Sequence, residues 1–397
     1  MSTGSGSPTL ERPRRSVPAA PPAAAGRLPE ARAATGRGGF VLLAGLLVVL
    51  NLVGLVMVLS ASTVLSLSQY HSPWHYFARQ LVWLVLGTVA FLVALRVDRR
   101  WWRRFAKPAI VAAVLMLLAV LVPHVGRSAG GASRWLGTGS VNVQPSELAK
   151  LALILFAADV LDRRSDRGDL GDWKYQMMPV LAVMVILGAL VMKQPDMGST
   201  MVLCFIAVVM LFTAGLPTRS LATIGVVGVA SGMLMAVAAP YRWARLTSFV
   251  HPFKHASNTA YQSVQGLLAL GAGGVSGDGI GASIASWGYL PNAQTDFIFA
   301  IIGEETGLIG TLLVSGLFLA LGLVGVRIAC GARDRFSGLL AAGITAWLVG
   351  QAVINIGAVV GLLPVTGVPL PYVSYGGTSL VIALFGAGML GNVARNP

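Results

Sequence analysis

Charge is what this chain has least of: 11% of its 397 residues are Asp, Glu, Lys or Arg, against 55% that are hydrophobic. A soluble domain carries roughly 25% charged residues, so a water-facing globule is excluded and a polytopic membrane protein is indicated. Cysteine is nearly absent. Cys204 falls in an apolar run and Cys330 in a short loop, which leaves no disulfide framework. Histidine is also sparse: His71/His75 and His251/His255 have i, i+4 spacing but lack the Glu of HExxH, so no zinc site is expected from them. Acids number 15 against 29 Lys and Arg, a formal charge of +14. That excess does not make a nucleic-acid binder, because the cations are spread over short loops with no aromatic–basic module.

What is present is a series of apolar runs of about 20 residues, each able to cross a hydrocarbon layer roughly 30 Å thick. The expected fold is an all-α polytopic membrane protein of about ten transmembrane helices. They are placed near 39–62, 77–95, 108–125, 146–161, 176–192, 198–214, 219–239, 294–326, 336–362 and 377–393. The pair flanking Lys193–Asp196 also reads as one broken unit, and the eighth span is long enough to tilt or project beyond the bilayer. Residues 1–38, rich in Pro, Ala, Gly, Ser and Arg, are expected to be a disordered basic cytoplasmic tail, leaving 39–397 as one transmembrane domain. The first apolar run is too long for a cleaved signal.

Counting Lys and Arg orients the chain. With the N-terminus inside, inner segments hold 21 of them and outer segments seven, with Lys150 inside a span. Both termini are therefore expected in the cytoplasm. The long loops 126–145, 240–293 and 363–376 then fall outside, as do all five His. Chemistry is expected on that outer face, with the large loop 240–293, between helices 7 and 8, carrying the substrate site.

The stretch YLPNAQTDFIFAIIGEETGLIG (289–310) places three acids at and inside the mouth of a membrane helix. Asp296 reads as a helix cap or as a general base at the membrane–water boundary, and the two are compatible. Glu304 and Glu305 lie two to three turns deeper, roughly 12–14 Å at 1.5 Å per residue, where a carboxylate needs a partner or a wet cavity. Interhelical ion pairs are the favoured reading there. Lys150 is the nearest cation in depth, with Glu147 three residues before it on the same face.

Outside, YRWARLTSFVHPFKH brings Arg242, Arg245 and Lys254 among Tyr241, Trp243 and Phe249. It reads as an interfacial amphipathic segment or as a clamp for a phosphorylated lipid head. AYQSVQGLLALGAGGVSGDGIGAS follows, with Gln262 and Gln265 as supporting polar residues and glycines that permit close backbone approach. The loop LPVTGVPLPYVSYGG, which supplies Ser374, is a plain connector, or it dips inward and is buried in protein.

Five motifs in order carry a resemblance: RWLGTGSVNVQPSELAKLALI (134–154), QPDMGST (194–200), RLTSFVHPF (245–253), YLPNAQTDFIFAIIGEE (289–305) and LLPVTGVPLPYVSYGGTSL (362–380). The chain resembles the SEDS family of shape, elongation, division and sporulation proteins, to which FtsW, RodA and SpoVE belong. The resemblance implies a peptidoglycan glycosyltransferase polymerising lipid II at the outer face of the cytoplasmic membrane. It also implies a class B penicillin-binding transpeptidase as partner. The spelling of the fourth motif and the basic tail favour the FtsW branch, with a place among divisome proteins at the septum. By the resemblance Asp296 is catalytic, the Glu and Lys of QPSELAK are Glu147 and Lys150, and the Arg of RLxxF is Arg245. One departure stands out: the family often carries a Lys just before YLP, where this chain has Ile284, Ala285 and Ser286.

The expected chemistry is one base plus several cations. A sugar leaving from a lipid pyrophosphate needs positive charge, whereas a glycosidase needs a second carboxyl group to protonate its leaving group. Asp296 takes the proton of the acceptor hydroxyl. Arg242, Arg245 and Arg134, or a divalent cation such as Mg or Mn, stabilise the pyrophosphate, with Lys150 and Glu147 grouped as substrate-binding. Two rival classes remain: a lipid II flippase, which predicts broken helices and polar residues near the midplane, and a catalytically idle division scaffold.

Overall fold

A computed structural model describes residues 27–129, 132–137, 142–165, 173–237, 240–256 and 260–396. In chain order the long helices are α1 (Arg27–Tyr70), α2 (His75–Arg96), α3 (Arg99–Leu121), α4 (Pro145–Ser165), α5 (Trp173–Lys193), α6 (Met197–Thr213) and α7 (Thr218–Val237). Two shorter helices, α8 (Pro240–Val250) and α9 (Tyr261–Ala272), precede α10 (Ile298–Cys330), α11 (Arg335–Val359) and α12 (Thr378–Arg395). A two-stranded antiparallel ribbon, β1 (Gly126–Ala129) and β2 (Ala132–Leu136), lies between α3 and α4. Six helices among the described residues, α1, α2, α3, α10, α11 and α12, are long and apolar enough to cross a membrane. α1 begins at Arg27, so part of the expected tail is helical in backbone, in keeping with the helix formers of LPEARAA. Residues 1–26 lie outside the described residues.

The helices α5 and α6 pack against one another, which makes Gln194–Asp196 a turn between two helices rather than a kink in one. At the centre runs α11, in contact with α4, α6, α10 and α12, with Trp347, Leu340 and Phe336 fully enclosed. Large apolar side chains face outward on α2 (Val82, Val85), α3 (Val111, Leu115) and α10 (Leu312, Leu319). Surface of that kind is what a bilayer-facing bundle presents.

Scarce polar groups go to helix ends. Asp98, Asp196 and Asp334 each cap a helix, accepting from the backbone N–H of Arg100, Ser199 and Ser337. Buried Asn392 of α12 donates to the carbonyls of Ala94, Leu95 and Val97, which the end of α2 leaves without intrahelical partners.

The helix α10 is not continuous. Gly307 has φ 67° and ψ −160°, which splits it into an N-terminal piece of about two turns and a remainder long enough to span. The glycine-rich segment after α9 repairs the break. Gly274 and Val275 accept from the N–H groups of Leu308 and Ile309, while Asp278 and Gly279 donate to the carbonyls of Glu304 and Glu305. Gly277 permits this approach, since a Cβ there would lie 2.2 Å from the Glu305 carbonyl oxygen.

Candidate active site

Asp296 sits two residues before α10, half-buried. It does not cap the helix: the cap position is Phe297 and carries no side-chain cap bond. The cap reading therefore fails, because the turn 291–297 delays the helix start past both polar residues. The carboxylate instead receives the Thr295 hydroxyl on Oδ1 at 2.7 Å. Its other oxygen and the Arg134 guanidinium both lie close to Gly367. A Cβ on Gly367 (φ 69°) would lie 3.6 Å from Asp296 Oδ2 and 3.7 Å from Arg134 Nη1. Arg134, on β2, is aimed by bonds to the carbonyls of Gln194 (3.3 Å) and Pro195.

The backbone under Asp296 is clamped at three successive carbonyls. Tyr375 N–H donates to Gln294 (2.9 Å), Ser374 Oγ to Thr295 (2.5 Å) and Asn355 Nδ2 to Asp296 (2.8 Å). Ser374 and Tyr375 belong to the non-helical segment 363–377, whose Val368, Leu370, Tyr372 and Val373 are buried. That segment is thus no surface connector; it is non-helical backbone buried within the protein, as hydrocarbon surroundings would require. Asn355 also holds the Val368 carbonyl at 2.7 Å, and Gln351, one turn earlier on α11, holds that of Pro369 at 2.9 Å.

Lys150 and Glu147 are brought near this loop but not into the open. The ammonium lies 2.7 Å from Glu147 Oε1 and 2.6 Å from Gln351 Oε1, and Lys150 is wholly buried. It also lies 5.5 Å from the Trp347 ring centre. In this conformation both are buried, and they brace the loop through Gln351. Sequence groups them as substrate-binding; here they are enclosed by α4, α11 and the loop, and Glu147 lines a small cavity with Gln351, Pro369 and Ser374.

Among the described residues, the expected ion pairs of Glu304 and Glu305 are not formed. The Glu304 carboxylate accepts from Ser283 Oγ (2.5 Å) and from the N–H groups of Ile284 (2.9 Å) and Ala285 (3.3 Å). Glu305 accepts from Ser60 of α1. Adjacent carboxylates at the α10 break thus hold the glycine-rich loop with neutral donors, and Lys150 is taken by Glu147. The stretch lacking the family's Lys is therefore a backbone cradle for Glu304.

Arg242 and Arg245 lie on α8, so YRWARLTSFV is helical, but their side chains lie outside the described residues. Gln262 on α9 donates to the Pro291 carbonyl at 2.9 Å, tying α9 to the turn that carries Asp296, and Gln265 is half-buried on α9. Sequence reasoning does not single out Asn355 and Gln351. Their i, i+4 spacing in an apolar helix is the available signal. No group of three His, Cys, Asp or Glu gathers among the described residues. Asp296 with Arg134 beside it does not by itself make a divalent-cation site.

These features define a class: a multi-helix membrane protein with a carboxylate and a guanidinium converging at the mouth of a broken helix, braced from below by a buried loop. The chain belongs to the family described as cell cycle protein, that of FtsW, RodA and SpoVE, which matches residues 40–397. It is 40% identical over 347 residues to "Probable peptidoglycan glycosyltransferase FtsW" of Geobacter metallireducens, covering 87% of this chain and 92% of that one. The protein of the same name in Mycobacterium tuberculosis is 42% identical over 358 residues, covering 90% and 68%. Stage V sporulation protein E of Bacillus subtilis is 38% identical over 354 residues, covering 88% and 96%. Among solved structures, a chain from work on the coordination of polymerization and crosslinking by a peptidoglycan synthase complex superposes with TM-score 0.72 at 29% identity, covering 89% and 96%. The rod shape determining protein RodA of Thermus thermophilus gives TM-score 0.66 at 29% identity, covering 89% and 95%.

Proposed function

We infer that this chain is a peptidoglycan glycosyltransferase that polymerises lipid II at the outer face of the cytoplasmic membrane, with Asp296 as its general base. The observation that carries the reading is the rigid seating of Asp296 beside Arg134, in a chain whose relatives bear that activity in their names. Asp296 accepts the proton of the acceptor sugar hydroxyl, which attacks the anomeric carbon of the growing glycan with inversion. The bond to the lipid pyrophosphate breaks as the new glycosidic bond forms, and the pyrophosphate leaves as an anion. Arg134 is placed to offset that charge, with Arg242 and Arg245 of α8 as further cations. Glu147, Lys150, Gln351 and Asn355 act by fixing the loop and the base, which holds the attack geometry without touching substrate.

The same reading has about ten spans, both termini in the cytoplasm, a septal role and a crosslinking transpeptidase as partner. The structural relative named for a complex of polymerization and crosslinking supports that last point. One feature favours a translocator instead, the break in α10. Its free backbone groups are satisfied by the glycine-rich loop rather than left lining a path. Liposomes holding the purified chain and lipid II distinguish the two. Glycan strands are expected, and lipid translocation without polymer would overturn the enzyme reading.

A further inference from the structure

The first two turns of α3 carry Arg99, Arg100, Arg103 and Arg104, and the helix sorts them by face. Arg99 and Arg103 turn inward: Arg99 Nη1 lies 2.8 Å from Asp334 Oδ2, and Arg103 Nη2 lies 2.5 Å from Asp162 Oδ2. Arg100, Arg104 and Lys107 turn outward and are exposed, and none has an ion pair among the described residues. At 3.6 residues per turn these three share an arc of about 60°. A bias of cations toward one side of the membrane explains their number but not this segregation. Like charges at i, i+4 repel until an anion lies between them.

Two further observations say what kind of anion fits. Beside the cations Trp101 and Phe105 are exposed and stacked with ring centres 5.8 Å apart, and the Arg104 guanidinium lies 5.5 Å from the Trp101 ring. Stacked aromatics of this kind belong at the headgroup level of a bilayer. The cationic strip then continues along the same helix face into Val111, Leu115 and Leu118, all exposed. Cations followed by an apolar stripe match a phosphate followed by acyl chain, which a water-soluble phosphate would not need.

We propose that this face of α3 is a binding site for an anionic phospholipid, its phosphate held by Arg100, Arg104 and Lys107 and one acyl chain laid along Val111–Leu115–Leu118. The site is remote from Asp296 and does not depend on the catalytic reading. It tethers the α2–α3 turn, whose inward arginines join α3 to α4 and to the start of α11.

The test titrates the full chain in neutral detergent with phosphatidylglycerol or phosphatidylcholine and reads the first-lipid dissociation constant by native mass spectrometry. The wild type should prefer phosphatidylglycerol, and Arg104→Gln alone should weaken that preference about fivefold, the contribution of one surface cation. The triple variant Arg100→Gln/Arg104→Gln/Lys107→Gln should abolish it, whereas Arg100→Lys/Arg104→Lys should keep it. Arg219→Gln/Arg333→Gln, which removes two exposed cations elsewhere, should leave it intact. Equal affinity for the two lipids, no change in the Arg104→Gln variant, or an equal loss in the Arg219/Arg333 control would overturn the site.

Discussion

At the scale of single residues, the position of Asp296 is set by its neighbours' amides and hydroxyls more than by its own charge. Three consecutive carbonyls are each met by a different donor, and Asn355 supplies one of them while also gripping the loop opposite. Replacing Asn355 with Ala leaves the carbonyls of Asp296 and Val368 without that donor, at about 1–3 kcal/mol for each buried group left unpaired. Asn355→Ala should therefore lower the polymerisation rate by roughly tenfold or more, with insertion unchanged. Its effect on KM should be smaller, since the base is displaced while the groups that hold substrate stay in place. A rate within twofold of wild type would remove Asn355 from the account. Asp296, Glu147 and Lys150 are legible in the sequence because a charge in an apolar chain needs a reason. Asn355 and Gln351 are not. A neutral amide in an apolar helix reads as ordinary helix–helix glue, and only the fold shows which loop it reaches.

Elements tell a different story. Each long helix stands where an apolar run predicts one, because length and hydropathy are local properties. The break in α10 is hidden, since Gly307 alone does not mark a kink and its repair lies some thirty residues upstream along the chain. The glycine-rich stretch carries little weight in sequence for the same reason: its partners are backbone groups of another element. Gly277→Ala forces a Cβ to within 2.2 Å of the Glu305 carbonyl oxygen at a residue with φ 76°. A substantial loss of stability follows, of the order of 2–4 kcal/mol. Its melting temperature in detergent should fall by several degrees, while Gly274→Ala, at a glycine with open space around its Cβ position, should fall less. Equal melting of both variants would show that the loop does not brace the break.

For the whole molecule, the positive-inside count leads to the expectation that both ends face the cytoplasm, and the chain carries its own probe of that orientation. Cys330 is exposed at the last residue of α10, whereas Cys204 is half-buried in α6. In the proposed arrangement Cys330 faces the cytoplasm. A membrane-impermeant maleimide should label it only after cells are permeabilised, and a Cys330→Ser variant should lose the signal. Labelling of intact cells would invert the topology and put Asp296 on the wrong side for an outer-face substrate. The central claim is that one carboxylate, rigidly seated beside Arg134, removes the proton from the acceptor sugar. The most direct measurement is glycan strand formation from lipid II by wild-type, Asp296→Asn and Asp296→Ala chains in the same liposomes, each checked for insertion and folding. The account predicts strands from the wild type and none above background from either variant, and strand formation at the wild-type rate by Asp296→Asn would contradict it.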